Sequence, residues 1–137
     1  MRTRSKSREY ALQFLYQMEI RKEEHSVETF RVFIENADGK EEAETFTEDL
    51  IKGVSEHLSE LDEIISDCLM NWDMKRISLV DKIILRIATY ELIYNIETPS
   101  KVAVNEAIEL GKKFGSKETG SFINGVLDKI LKTKISL

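Results

Sequence analysis

A single cysteine, a single proline and no apolar run of membrane-spanning length set the first limits on this chain of 137 residues. Cys68 by itself cannot close an intrachain disulfide, and it lies on an apolar stripe where a buried thiol is the ordinary occupant. Charges interrupt even the richest stretch, VDKIILRIATYELIY (Val80 to Tyr94), so nothing approaches the roughly 20 residues that cross a bilayer. The first residues also lack the apolar middle and small-residue cleavage site of a secretory signal, and a soluble, cytoplasmic protein without membrane contact is expected. The few glycines never form GxGxxG or GxxxxGK[ST], which removes the usual phosphate cradles of nucleotide enzymes. His25 and His57 have no cysteine or histidine at metal-ligand spacing, and pairs such as Glu23-Glu24 and Glu41-Glu42 read as solvated. No metal, cofactor or catalytic activity is expected.

What is present is helical periodicity. With 42% hydrophobic and 33% charged residues the chain fits one domain over residues 1–137. Ala11, Phe14, Leu15 and Met18 fall at i, i+3, i+4 and i+7 on a helix that starts near Ser5 or Ser7. Ser26 can cap a second helix bearing Val27, Phe30 and Ile34, followed by a loop with Asp38-Gly39 as its turn. Phe46, Leu50, Val54 and Leu58 mark a third helix; Leu61, Ile64, Ile65, Cys68 and Leu69 mark a fourth.

From Ser78 to Tyr94 the apolar residues cover almost the whole circumference, which predicts a central, mostly buried helix. Ser78 with Asp81 three residues on suggests a capping box at its start. The segment Asn95 to Ser100, with Pro99, ends it. Ala103, Ala107, Leu110 and Phe114 form the next stripe, closed by Gly115 as a C-cap, and Ser116 can start the last helix. That helix carries Phe122, Ile123, Val126, Leu127 and Ile130, and its periodicity outweighs the turn signal of Asn124-Gly125. The reading is all-α: roughly seven helices in a compact bundle.

The charge balance is acidic, 25 carboxylates against 20 cations, yet Arg2, Arg4, Lys6 and Arg8 gather at the start with no carboxylate among them. Over a Debye length of about 8–10 Å such a cluster acts locally, whatever the net charge. Arg4 and Arg8 are one helical turn apart, and the same helix carries Tyr16. Cations for phosphates and an aromatic ring for a base are the combination that single-stranded nucleic acid requires. Tyr16 fits the rim of a core equally well.

Four stretches make the reading specific: SREYALQFLYQ (Ser7 to Gln17), WDMKRISLVDKIILRIATYEL (Trp72 to Leu92), KVAVNEAIELGKKFG (Lys101 to Gly115) and SFINGVLDKI (Ser121 to Ile130). Together, and in this order, they resemble the NusB family of transcription antitermination factors; the region from Glu23 to Glu60 is too generic to contribute. The resemblance implies two helical subdomains and an RNA-binding function. It implies as partners the boxA element of nascent rRNA leader transcripts, a single-stranded RNA, and the ribosomal protein that serves as NusE. The assembly then joins the RNA polymerase antitermination complex in a bacterial cell.

Carried onto this sequence, the family's basic N-terminal motif falls on Arg4, Lys6 and Arg8, and its tyrosine on Tyr16. A second RNA-contacting region falls on Glu118 and Phe122, although Phe122 also fits the core stripe. The NusE-facing surface falls on Asp81 with Arg76 nearby. Ser5 and Ser7 stand where relatives often carry basic or small residues, and Ser121 where a lysine is frequent. Fewer cations imply weaker binding of RNA alone and more reliance on the partner. Two rivals remain. The same helical domain heads a family of rRNA cytosine-5 methyltransferases, whose chemistry needs a Rossmann-like domain that this sequence, ending at Leu137, is not expected to supply. A helical adaptor that binds only proteins is the other. The apolar face that would meet NusE is also compatible with a homodimer.

Overall fold

The computed structural model describes residues 2–22, 27–36, 41–70, 73–95 and 97–135. These form seven α-helices, α1 (Arg2–Arg21), α2 (Val27–Asn36), α3 (Glu41–Glu56), α4 (Leu58–Asp67), α5 (Leu79–Tyr94), α6 (Ser100–Phe114) and α7 (Thr119–Ile130), closed by a π-helical turn, Leu131–Ile135. No strand occurs among them. Ser26, the turn at Asp38-Gly39, His25, the pair Glu23-Glu24 and Trp72 lie outside the described residues, as do the side chains of Val27, Ile34, Glu41 and Glu42. The chain divides into two compact units, Met1–Gly53 and Val54–Leu137.

In the first unit α1 begins at Arg2, ahead of both serines expected to open it. Ser7 lies inside the helix, fully buried, and its carbonyl accepts a hydrogen bond from Thr47 Oγ1 at 3.4 Å. The basic residues are therefore helical themselves. Ala11, Phe14 and Met18 are buried as their spacing requires, and Phe14 meets Phe30 and Phe33 edge-on with ring centroids 5.7 and 5.3 Å apart. Tyr10 reaches Phe33 the same way at 6.3 Å.

In the second unit α5 is the buried helix that its apolar circumference predicts, with Ile83, Ile84, Leu85, Ile87 and Ala88 all enclosed. Ser78 caps it, its Oγ accepting from the Asp81 N–H at 3.1 Å. The reciprocal half of the box is not made, because the Asp81 side chain is engaged elsewhere. Leu58, expected to close the α3 stripe, instead opens α4 beyond the break at His57 and is 39% exposed. Cys68 is a buried free thiol at the C-cap of α4, 3.7 Å from Thr133 Oγ1. Arg86 of α5 holds Asp62 of α4 in a two-pronged ion pair, Nε and Nη2 donating at 2.8 and 2.9 Å.

Pro99 stands at the N-cap of α6, and Asn124-Gly125 is helical within α7. Gly115 is the C-cap of α6, but its φ of −97° and ψ of −166° are extended, not left-handed. The last helix starts at Thr119 with Glu118 at its N-cap; Ser116 opens the turn before it, its carbonyl accepting from the Thr119 N–H at 3.1 Å. No helix among the described residues is long and apolar enough to cross a membrane.

Candidate nucleic-acid interface

The basic helix α1 presents its cations unequally. Arg4 is exposed, its guanidinium 4.6 Å from the centroid of the Phe46 ring. Arg8, one turn on, stacks over the same ring at 5.2 Å but is only 3% exposed. Lys6 is exposed on another side of the helix, with Nζ 3.6 Å from Glu9 and 5.6 Å from the centre of the Tyr10 ring. Of the three cations that the resemblance assigns to RNA, Arg4 and Lys6 meet solvent and Arg8 is largely packed. Tyr16 is 39% exposed and stands eight residues beyond Arg8, about 12 Å along the axis.

The second assigned region opens α7. Glu118 is exposed at the N-cap and its carboxylate caps no backbone N–H. Phe122 is half-buried, its N–H donating to the Glu118 carbonyl at 3.1 Å. Beneath both lies Thr119, which no motif or spacing in the sequence singles out. Its hydroxyl donates to Asp81 Oδ1 at 3.0 Å and accepts from the Ser116 N–H at 2.9 Å, with Ser116 Oγ 3.2 Å away. Asp81, assigned to the partner surface, is thus tied to the start of the helix that carries Glu118 and Phe122. Arg76 is exposed in the turn ahead of α5, its N–H donating to the Asp73 carbonyl at 2.8 Å.

A third feature joins residues distant in the sequence. His57 stacks on Tyr94 with centroids 4.2 Å apart, Tyr94 stacks on Tyr90 at 5.5 Å, and Glu60 accepts a hydrogen bond from the Tyr94 hydroxyl. That bond to the carboxylate raises the phenol above its ordinary pKa. The i, i+4 spacing of Tyr90 and Tyr94 is visible in the sequence; their meeting with His57, at the break before α4, is not. Among the described residues no three metal-ligating side chains converge.

The NusB family model matches residues 5–132. The chain belongs to the NusB family. It is 47% identical over 131 residues to the transcription antitermination protein NusB of Clostridium perfringens, covering 94% of this chain and 96% of that one. It is 41% identical over 133 residues to the NusB of Pseudothermotoga lettingae, covering 97% and 94%. Among solved structures, T. maritima NusB superposes with a TM-score of 0.84 at 36% identity, over 95% of this chain and 91% of the other. A crystal structure of the antitermination factors NusB and NusE in complex with double-stranded RNA gives 0.84 at 30% identity, over 96% and 98%. The all-helical architecture expected from the NusB-like stretches is therefore the observed one.

Proposed function

We propose that this chain is a transcription antitermination factor that holds the boxA element of nascent rRNA leader transcripts together with NusE and joins the RNA polymerase antitermination complex. The observation that carries the proposal is the close likeness to a NusB solved with NusE and RNA. The charge pattern agrees with it: on an acidic protein, exposed Arg4 and Lys6 stand on the helix that also exposes Tyr16. That relative holds double-stranded RNA, whereas the reading for this chain is a single strand. Tyr16 and Phe122 are aromatic, and unstacked bases are what such rings hold. Arg4 and Lys6 supply phosphate contacts, Tyr16 and Phe122 ring faces, and Asp81 with Arg76 a polar surface for NusE.

The deciding experiment is a titration of a single-stranded boxA-like RNA at several salt concentrations, with and without NusE. A ternary complex whose RNA affinity exceeds that of this chain alone is the expected result; a NusE complex that ignores RNA would make the chain a protein-only adaptor. Arg4→Ala with Lys6→Ala should flatten the slope of log affinity against log salt by about 0.7 per lost contact. Arg8 is left out of this pair because it is only 3% exposed, packed over Phe46, so that its removal would disturb the fold as well as the charge.

Glu118 gives a prediction of opposite sign. Its charge at a helix N-terminus is worth a few tenths of a kcal/mol to roughly 1 kcal/mol of stability, but it repels passing phosphates. Glu118→Gln should tighten RNA binding by up to about 1 kcal/mol at low salt, the gain fading as salt rises. Glu63→Gln, an exposed carboxylate change on α4, should leave affinity unaltered. Weaker binding by the Glu118 variant, or equal behaviour of the two, would remove Glu118 from the interface.

A further inference from the structure

Thr119 is buried to 1% exposure between two of the assigned surfaces, and its polar capacity is fully used. A threonine hydroxyl has one hydrogen to give and two lone pairs to receive. The hydrogen goes to Asp81 Oδ1, and the Ser116 N–H and Ser116 Oγ lie on the accepting side at 2.9 and 3.2 Å. The methyl group sits so close to Gly111 that a Cβ added there would stand 2.9 Å from it. The side chain therefore has one place to be. Its own N–H is held by the Ser116 carbonyl, Glu118 precedes it directly, and Phe122 follows within one turn. At the other end of the bond, Asp81 is half-buried in the first turn of α5, and its Oδ2 makes no hydrogen bond among the described residues.

We propose that Thr119 is a positioning residue that couples the two surfaces: a partner donor engaging Asp81 fixes, through the Thr119 hydroxyl, the start of α7, and so raises the affinity of Glu118 and Phe122's surroundings for RNA. This rests on the assignment of Asp81 to NusE and of α7 to RNA made above. The physical basis is positional: a carboxylate fixed by a partner donor at Oδ2 has fewer orientations open to Oδ1, so the Thr119 hydroxyl bonded there is fixed with it, and part of the ordering that RNA would otherwise impose on α7 has already been supplied by the partner. By linkage the effect is reciprocal, and RNA should tighten NusE by the same factor.

The test compares Thr119→Val, which keeps the shape and removes the hydroxyl, with Thr119→Ser, which keeps the hydroxyl and removes the methyl. With NusE saturating, the gain in RNA affinity should fall by about fivefold or more in Thr119→Val and persist in Thr119→Ser. An undiminished gain in Thr119→Val overturns the proposal, and so does an equal loss in Thr119→Ser, which would make the effect one of packing. Thr119→Ala is the second hydroxyl-free variant should valine prevent folding. A further arm needs neither RNA nor NusE: Asp81→Asn should move the amide NMR signals of residues 116 and 119–122, and removing the Thr119 hydroxyl should shrink those shifts by roughly half or more. Shifts that do not depend on Thr119 overturn the coupling. Shifts that do depend on it, with no NusE effect on RNA in the parent protein, would retain the link and reject the partner assignment instead.

Discussion

Replacing Phe14 with alanine is expected to remove about 3–5 kcal/mol of folding stability, the largest loss among the substitutions considered. Phe14 is fully buried, and its ring is met edge-on by Phe30 at 80° and Phe33 at 71° between planes. Alanine forfeits the transfer free energy of the ring, leaves a cavity lined by two other aromatics, and strips both of an edge-to-face partner. Marginal stability of ordinary domains, roughly 5–15 kcal/mol, makes a loss of that size severe. Phe14→Leu, which refills most of the space, should cost distinctly less. RNA affinity should fall with stability in the alanine variant, because Phe14 anchors the same helix that exposes Arg4, Lys6 and Tyr16. Urea denaturation with an unchanged m-value measures the effect; a loss below about 1 kcal/mol would mean the aromatic cluster is not a unit of the core.

The residues that were legible in the sequence are those whose environment follows from local spacing. The circumference of apolar residues from Leu79 to Leu92 specifies burial wherever α5 is placed, and the stripe Ile123, Val126, Leu127 and Ile130 carries α7 through Asn124-Gly125 against the turn signal. What the spacing could not show depends on residues far away in the chain. Arg8 looks like its neighbours Arg4 and Lys6 until Phe46, thirty-eight positions on, covers it. Thr119 looks like a loop threonine until Asp81, also 38 positions away, accepts its hydrogen. The start of α1 differs for a related reason: a serine marks a cap only where it stands at a helix end, and Ser7 is buried within α1, its carbonyl bonded to Thr47, forty positions on. Leu58 kept the four-residue rhythm of α3 across a break at His57 that rhythm alone does not reveal.

Gly115 illustrates the same limit and yields the second large effect. Its place after α6 suggested a left-handed cap, yet its backbone is extended and open to any residue. The requirement for glycine is one of space: a Cβ there would lie 2.5 Å from Thr119 Oγ1, 2.7 Å from its Cβ and 2.8 Å from its Cγ2. Thr119 cannot turn aside, because its hydroxyl is shared between Asp81 and Ser116. Gly115→Ala should therefore push the start of α7 outward or break those bonds, at about 1–3 kcal/mol of stability, even after the roughly 0.4–1 kcal/mol gained by stiffening the unfolded chain. Gly125 is the internal control: it lies within α7, a Cβ there meets nothing within 4 Å, and alanine should stabilise by about 0.5–1 kcal/mol. Thermal and urea unfolding of the two variants should thus move in opposite directions. If Gly115→Ala is as stable as the parent, Thr119 is free to move, and with that freedom the rigid link from Asp81 to the start of α7 is lost as well.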